Sequence, residues 1–442
     1  MRVFDVVVIG TGMAGQPAAS TCAKAGKKVA IVDALPYGGT CMLRGCDPKR
    51  VMLEASYVAA RAEALLDGGI ETVPRIDWQA LQARKRSFTD PVPAEIEGWL
   101  RGLGVETLHG AAQVVGDGEL NVAGERLRAG HVVIATGARP RTLDLSGAEL
   151  LTTSTKFLDL EELPKRLAFV GGGYIAFEFA ALSARAGAGV RIIHSGGHVL
   201  ESFDPDLAGI LVDRYRSLGI GIELNAQVSR VQGEPGGLLV TSTSGTFEAD
   251  VAVHSAGRVP DLEGLGLEAA DVRYDHRGVD VDENLRSTTN PRFFAAGDAA
   301  AIGLPLTPVA SRQGAVVARN ILGESVTFDG TATPSVAFSD PPLASVGARE
   351  SDLGDRGRGV DVVFNDTSDW FTSRRLGQTH SASKVLVDKR SGAILGAHIL
   401  GACAEEITNV FALAMRQGIT RDGLRDLLTD YPTVFSDVQY ML

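Results

Sequence analysis

The sequence predicts an α/β chain with two doubly wound, Rossmann-like dinucleotide-binding domains and a third, α+β domain. Three observations predict it. A strand–glycine turn–helix–strand pattern opens the chain, the same pattern returns at Arg166, and the texture changes after Thr331 to short alternating strands followed by one long helix.

The opening reads VFDVVVIG, TGMAG, QPAASTCAKAG and KKVAIVDA. An apolar run, a glycine turn, a helix-like segment and a second apolar run ending in Asp33 make one βαβ unit. Gly10, Gly12 and Gly15 have the GxGxxG spacing. The first glycine permits the tight turn, the second lets backbone approach a pyrophosphate, and the third lets helix and strand pack closely. The helix N-terminus then offers free N–H groups and a positive dipole end to phosphate. Asp33 is placed to hold a ribose hydroxyl pair. A glycine turn without a ligand is the alternative, and the register of strand, helix and acid speaks against it.

TTSTK (152–156) and ELPK (162–165) precede the second unit, RLAFVGGGYIAFEFAALSARAGAGVRIIHS. Gly171, Gly173 and Ala176 form a GxGxxA variant. Two such units imply two dinucleotides. The second strand ends HSGGH, with no acid at its tip. An acid there would bind a free 2′-hydroxyl and repel a 2′-phosphate. His194, Ser195 and His198 offer that phosphate hydrogen bonds instead, so NADPH is expected ahead of NADH. Two ordinary surface histidines are the alternative.

Residues 1–150 with 271–330 read as the first domain, 151–270 as the second and 331–442 as the third. LPLTPVASRQGAVVARNIL and EEITNVFALAMRQGI read as helices, and residues 336–400 as alternating strands. Arg84-Lys85-Arg86 reads as a solvated helix face.

With 442 residues, the chain carries a net charge of −11 and a pI of about 5.3. That balance speaks against nucleic acid or an anionic membrane as partner. No apolar run reaches the ~18 residues of a membrane span, and MRVFDVVVIG reads as a strand rather than a leader. Four cysteines are too few for a disulfide framework, which predicts a reducing cytoplasm. In that setting the pair Cys41 and Cys46, in GGTCMLRGCDPKR, is catalytic or metal-binding. A zinc half-site and two buried thiols are the alternatives, but no second Cys/His cluster supplies further ligands, so no metal is expected. Cys22 and Cys403 read as inert core thiols.

GGTCMLRGCDPKR (38–50) resembles the redox motif of the flavin-dependent pyridine nucleotide–disulfide oxidoreductases, which include glutathione reductase, dihydrolipoamide dehydrogenase and mercuric reductase. ATGARP (135–140), GYIAFE (173–178), AGRVPD (256–261), AAGDAA (295–300) with LTPVA (306–310), VAFSDPPLASVG (336–347) and LGAHILGACAEEI (395–407) resemble the family's other segments in their order. The resemblance implies FAD in the first site, NAD(P)H in the second, and a homodimer formed through the third domain. It implies that Cys46 lies against the flavin as the charge-transfer thiolate and that Cys41 is the interchange thiol. Gly39, Thr40, Thr136, Gly137 and Asp298 fall on the FAD side. Lys49 would pair with Glu178 near the reactive flavin nitrogen. Tyr174 and Ile175, with Gly257 and Arg258, fall on the nicotinamide side.

The chain departs from the family at its end. Disulfide-reducing members carry a His-Pro-Thr segment whose histidine, from the partner subunit, takes the interchange thiol's proton, and a glutamate orients it. Here the stretch is Tyr431-Pro432-Thr433, with Ser436 in the glutamate's place and Asp437 one position off. A phenol with pKa near 10 is a poor acceptor at neutral pH. Mercuric reductase is similar at the tyrosine, but its C-terminal cysteine pair is missing from DVQYML. The resemblance therefore implies an FAD-dependent NAD(P)H oxidoreductase passing electrons through Cys41 and Cys46 to a small acceptor, namely a soft metal ion, a quinone or a low-molecular-weight disulfide. A glutathione- or lipoamide-type reductase with a substitute base is one alternative. A non-catalytic redox-sensing flavoprotein is another, and the intact segment from Gly171 to Glu178 speaks against it.

Overall fold

The structure is a computed structural model whose described residues are 1–354 and 357–442. The chain divides into two compact units.

The first unit is built from Met1–Lys49, Arg84–Arg141 and Arg258–Gly330. Its sheet runs Glu106–His109, Val29–Asp33, Arg2–Ile9, Glu125–Ile134, Glu119–Val122, Ala112–Gly116, and Phe293–Ala295 also pairs with Glu125–Ile134. Strands Arg2–Ile9, Val29–Asp33 and Glu125–Ile134 pair in parallel. Val6, Val7, Val8, Ile31 and Val133 are fully buried. This is why the central strands read as unbroken apolar runs, for a parallel sheet is covered on both faces. One cover is formed by the helices Gly15–Lys24 and Thr307–Ile321, whose Ala18, Ala19, Val317 and Ala318 close a core with Val6 and Val8.

The second unit is built from Arg50–Ala83, Thr142–Gly257 and Thr331–Leu442. It holds a parallel sheet in the order Gly221–Glu223, Gly189–Ile193, Arg166–Val170, Val251–His254, and a three-stranded antiparallel sheet over 228–249. A five-stranded antiparallel sheet, Ser335–Ala337, Leu343–Gly347, Ile394–Leu400, Ala382–Asp388, Val360–Asp366, is packed by the helix Ala404–Gln417 through Ile407 and Phe411.

Three expectations change. The stretch expected to be all strands contains the short helix Phe371–Leu376. The basic triplet is not a uniformly solvated face: Arg84 is exposed but Lys85 is buried, because it shares a helix face with Leu81 and Thr89. Cys22 is buried, but Cys403 is exposed. It sits in the left-handed region at φ 57° as the residue before the helix Ala404–Gln417, where a turn and not a core surrounds it.

Candidate active site

The first glycine turn is held open by sterics. Gly10 has φ +107°, and a Cβ there would lie 2.2 Å from the Ala135 carbonyl oxygen. A Cβ on Gly15 would lie 1.9 Å from the Gly10 oxygen, and one on Gly39 (φ +70°) only 2.4 Å from the Gly12 Cα. The dinucleotide turn and the start of the cysteine segment therefore touch backbone to backbone. At the tip of the neighbouring strand, the Asp33 carboxylate accepts the Thr11 N–H (2.8 Å), the Thr11 hydroxyl (2.7 Å) and the Leu35 N–H (2.9 Å). With about four acceptor directions on a carboxylate, one remains for a ligand. Thr136 Oγ1 is buried with no partner among the described residues, and beside it Gly137 at φ +71° has no atom within 4 Å of where its Cβ would stand. A cradle that any side chain would fill, together with a buried hydroxyl awaiting an acceptor or donor, fits the pyrophosphate of a dinucleotide. Asp298 is half-buried, and burial raises its carboxyl above the usual range while Arg258 opposes that rise.

Arg258 was expected on the nicotinamide side. In the structure it belongs to the first unit, where its guanidinium donates to the Ala138 carbonyl oxygen. The antiparallel pairing of Arg258–Pro260 with Ala138–Pro140 puts it there.

The cysteines flank the break between two helices, Gly39–Arg44 and Cys46–Ala64. Gly45 makes the break, since a Cβ there would meet the Thr40 carbonyl oxygen at 2.8 Å. Both thiols are free. The Thr307 hydroxyl lies 3.2 Å from Cys41 Sγ and 3.4 Å from Cys46 Sγ, so its one hydrogen can go to whichever sulfur is the thiolate. Cys46 is lowered to about 6, first by the hydrogen bond from Cys41, then by Thr307 and the buried Lys49 cation, against burial and Asp47. Cys41 is pushed up by that same hydrogen bond, by burial and by the Cys46 charge. The reduced pair is therefore polarised, with the thiolate on Cys46 and the proton on Cys41. Thr307 and Asp47 were not singled out from sequence. The only sign of Thr307 was its place at the head of the helix in LTPVA.

In the second unit Ser255 Oγ donates to the carbonyls of Val170 (3.0 Å) and Gly171 (2.7 Å), anchoring the second glycine turn. The helix Tyr174–Arg185 starts on Gly173. Tyr174 stands half-exposed in its first turn, and Ile175 packs partly against the core. Glu178 is fully buried and accepts the Phe338 N–H at 2.9 Å. Lys49 and Glu178 belong to different units. Gly257 lies at φ +104° where the strand Val251–His254 has ended, and Ser195 is exposed.

His194 was expected to offer a 2′-phosphate a hydrogen bond, with an ordinary histidine as the alternative. Its Nδ1 accepts the Gly172 N–H at 3.2 Å and its Nε2 donates to the His198 carbonyl at 2.7 Å. Both ring nitrogens are spent on the protein, and neither is left for a 2′-phosphate. The Glu201 carboxylate lies 3.6 Å from Nε2.

At the C-terminus, Tyr431 is 79% exposed. Ser436 Oγ closes a local turn by donating to the Thr433 carbonyl at 2.6 Å, so it orients nothing. Burial raises the Asp437 carboxyl, and a hydrogen bond with Thr372 opposes the rise. Among the described residues no group of three or more His, Cys, Asp or Glu side chains is placed to hold a metal ion.

The profile described as pyridine nucleotide-disulphide oxidoreductase matches residues 4–314, and the dimerisation domain of the same description matches 333–442. The chain belongs to the pyridine nucleotide-disulphide oxidoreductases. It is 34% identical over 435 residues to a glutathione reductase of Burkholderia cepacia, covering 98% of this chain and 96% of the relative. It is 31% identical over 444 residues to a dihydrolipoyl dehydrogenase of Bacillus subtilis, covering 97% and 94%. The HOCl-induced flavoprotein disulfide reductase RclA of Escherichia coli superposes with a TM-score of 0.89 at 27% identity over 99% of this chain and 98% of that one. A Cu(II) complex of a cysteine-to-serine mutant of the same protein gives 0.90 at 26%, over 100% and 99%. As a pyridine nucleotide-disulphide oxidoreductase the chain is a flavoprotein enzyme, FAD-dependent with NAD(P)H. Its dimerisation domain fits a homodimer, and no helix is long and apolar enough to cross a membrane among the described residues.

Proposed function

We propose that this chain draws an electron pair from NAD(P)H and passes it through Cys41 and Cys46 to a small acceptor, with a soft metal ion such as cupric copper first among the candidates. The observation that carries the reading is the polarised dithiol, with both sulfurs on one Thr307 hydroxyl. We assign residues 1–150 and 271–330 to FAD, 151–270 to NAD(P)H and 331–442 to the dimer contact. On the FAD side Gly10, Gly12, Gly15, Gly39, Thr40, Thr136 and Gly137 would hold the pyrophosphate, Asp33 a ribose, and Asp298 and Lys49 the flavin end. FAD supplies the relay by which a hydride's electron pair reaches the disulfide. Gly171, Gly173, Tyr174, Ile175, Glu178 and Gly257 would take the nicotinamide dinucleotide.

The chemistry of the pair balances with the hydride alone. Its two electrons break the Cys41–Cys46 bond, Cys41 holds the proton, and Cys46 stays a thiolate. Two cupric ions reoxidise that state, giving the disulfide, two cuprous ions and one proton. Thiolates are preferred ligands for soft ions, and this acceptor needs no base for a leaving thiol. The absence of an imidazole at Tyr431 is then no handicap. That RclA is described in complex with Cu(II) supports the same choice. The relatives named as glutathione reductase and dihydrolipoyl dehydrogenase favour a second reading, a low-molecular-weight disulfide. There Cys41 attacks one sulfur, Cys46 resolves the mixed disulfide, and the products are one thiol and one thiolate.

For the donor, NADH replaces NADPH as the expectation. The lean to NADPH rested on the missing acid at the strand tip and on His194, Ser195 and His198; the His194 nitrogens are engaged, and the Glu201 carboxylate beside them opposes a 2′-phosphate. A cycling dithiol, in a chain whose four cysteines are all free, belongs in a reducing cytoplasm.

Anaerobic initial rates of NADH and NADPH oxidation by the FAD-loaded protein test this, with cupric and mercuric ions, a quinone and glutathione disulfide as acceptors. Cys41→Ser is expected to abolish the fastest of these reactions. Turnover of every acceptor at the wild-type rate by Cys41→Ser would remove the dithiol from the mechanism.

A further inference from the structure

Cys46 is followed directly by Asp47, and the first turn of the helix Cys46–Ala64 carries that carboxylate back toward the other sulfur. Cys41 Sγ lies 3.8 Å from Asp47 Oδ1 and is placed to donate to it. We propose that Asp47 is a specificity-determining residue of the dithiol: its fixed negative charge stands beside the sulfur that meets the acceptor, admitting cationic and neutral acceptors and holding off anionic ones.

An acid in the first turn of a helix often does no more than complement the helix dipole. Asp47 differs in what it contacts. Its side-chain hydrogen bond among the described residues is to Cys41 and not to the helix's own amides. Asp47 is exposed, so salt can screen its charge, and it acts on Cys41 through its place 3.8 Å from that sulfur. The other groups around the pair divide unevenly. The cation, Lys49, lowers Cys46, whereas Asp47 raises both thiols and hydrogen-bonds only Cys41; the Thr307 hydroxyl is shared. The Cys46 sulfur thus sits by a positive charge and the Cys41 sulfur by a negative charge. A disulfide bearing carboxylates would have to bring like charge against Asp47 to reach Cys41. A cupric ion would be drawn in by it.

The inference rests on Cys41 being the outward thiol, and one experiment separates the two claims. The reduced, FAD-loaded protein is alkylated with iodoacetamide, which is neutral, and with iodoacetate, which is anionic. In both, a thiolate sulfur displaces iodide. Peptide mass spectrometry gives the rate at each cysteine, in wild type, Asp47→Asn and Asp47→Glu, at low and high salt. At Cys41 the iodoacetamide-to-iodoacetate ratio is expected to fall roughly three- to tenfold in Asp47→Asn at low salt, to stay near wild type in Asp47→Glu, and to fall in wild type as salt screens the charge. A merely structural carboxylate would change both reagents alike, so an unchanged ratio in Asp47→Asn overturns the proposal. Should that variant fail to retain FAD, the wild-type salt series decides the same point, and a ratio that does not move with salt overturns the proposal. Labelling confined to Cys46 would overturn the underlying reading of Cys41, and the proposal with it.

Discussion

Replacing Thr307 by valine keeps the shape of the side chain and removes one hydroxyl. That hydroxyl lies 3.2 Å from Cys41 Sγ and 3.4 Å from Cys46 Sγ. A hydrogen bond to an ionised group contributes about 1.5–3 kcal/mol, and one pKa unit corresponds to about 1.36 kcal/mol. Cys46 is open to solvent, which compensates part of the loss, so the lower end applies and the shift is roughly one unit. The thiolate midpoint would rise from about 6 to roughly 7. The sign follows from the depression: the wild-type thiolate is present above its midpoint and lost as pH falls through it. Near pH 6.5 the thiolate fraction would drop from roughly three-quarters to about one-quarter, while near pH 9 it would be unchanged. The assay is the pH profile of iodoacetamide alkylation at Cys46 in the reduced, FAD-loaded protein, read by peptide mass spectrometry, with Cys41, Asp47 and Lys49 left in place. A variant profile that coincides with wild type would refute the hydrogen bond's role. A loss of equal size at both pH values would point to altered access and refute the electrostatic account as well.

Three further outcomes are expected. Gly39→Ala places a Cβ 2.4 Å from the Gly12 Cα in a left-handed conformation, strain of at least ~1–3 kcal/mol, and should cost the protein its FAD on desalting, as the visible spectrum will show. Glu201→Arg should move the ratio of NADP⁺ to NAD⁺ dissociation constants about tenfold toward NADP⁺ in a titration by fluorescence, and a fixed ratio would put Glu201 away from the 2′ position. Tyr431→His offers an imidazole with pKa near 6.5 where the phenol stands, and should raise glutathione disulfide turnover about tenfold or more with little change for cupric ion. If it leaves disulfide turnover unmoved, the C-terminal segment does not reach the dithiol.

Much of the fold was legible because its signals are local. An apolar run, a glycine turn and a helix start lie within one short stretch, and the contact that needs Gly15, against the Gly10 carbonyl, acts between residues a few positions apart. What escaped depends on distant parts of the chain. Thr307 reaches the cysteine pair across 266 positions. Lys85 is buried by what packs on its helix, and the triplet's charge gave no hint of that. Asp47 was in plain view inside GGTCMLRGCDPKR, but only the fold turns an acid next to Cys46 into a neighbour of Cys41.

His194 shows how one sign in the sequence carries two readings. A histidine at the tip of a strand, just past a glycine turn, suggests a ligand group. Yet the turn carries one glycine more than its GxGxxA spacing requires, at Gly172. A Cβ at that position would lie 2.9 Å from His194 Cγ and 2.7 Å from Val199 Cγ1. Gly172 is small so that the imidazole can lie against the turn and accept its N–H, and the ring's other nitrogen then fastens the segment at His198. The extra glycine and the histidine are one device that fastens the second glycine turn from within. The charged neighbour of the ring that stands exposed is Glu201, its carboxylate 3.6 Å from Nε2.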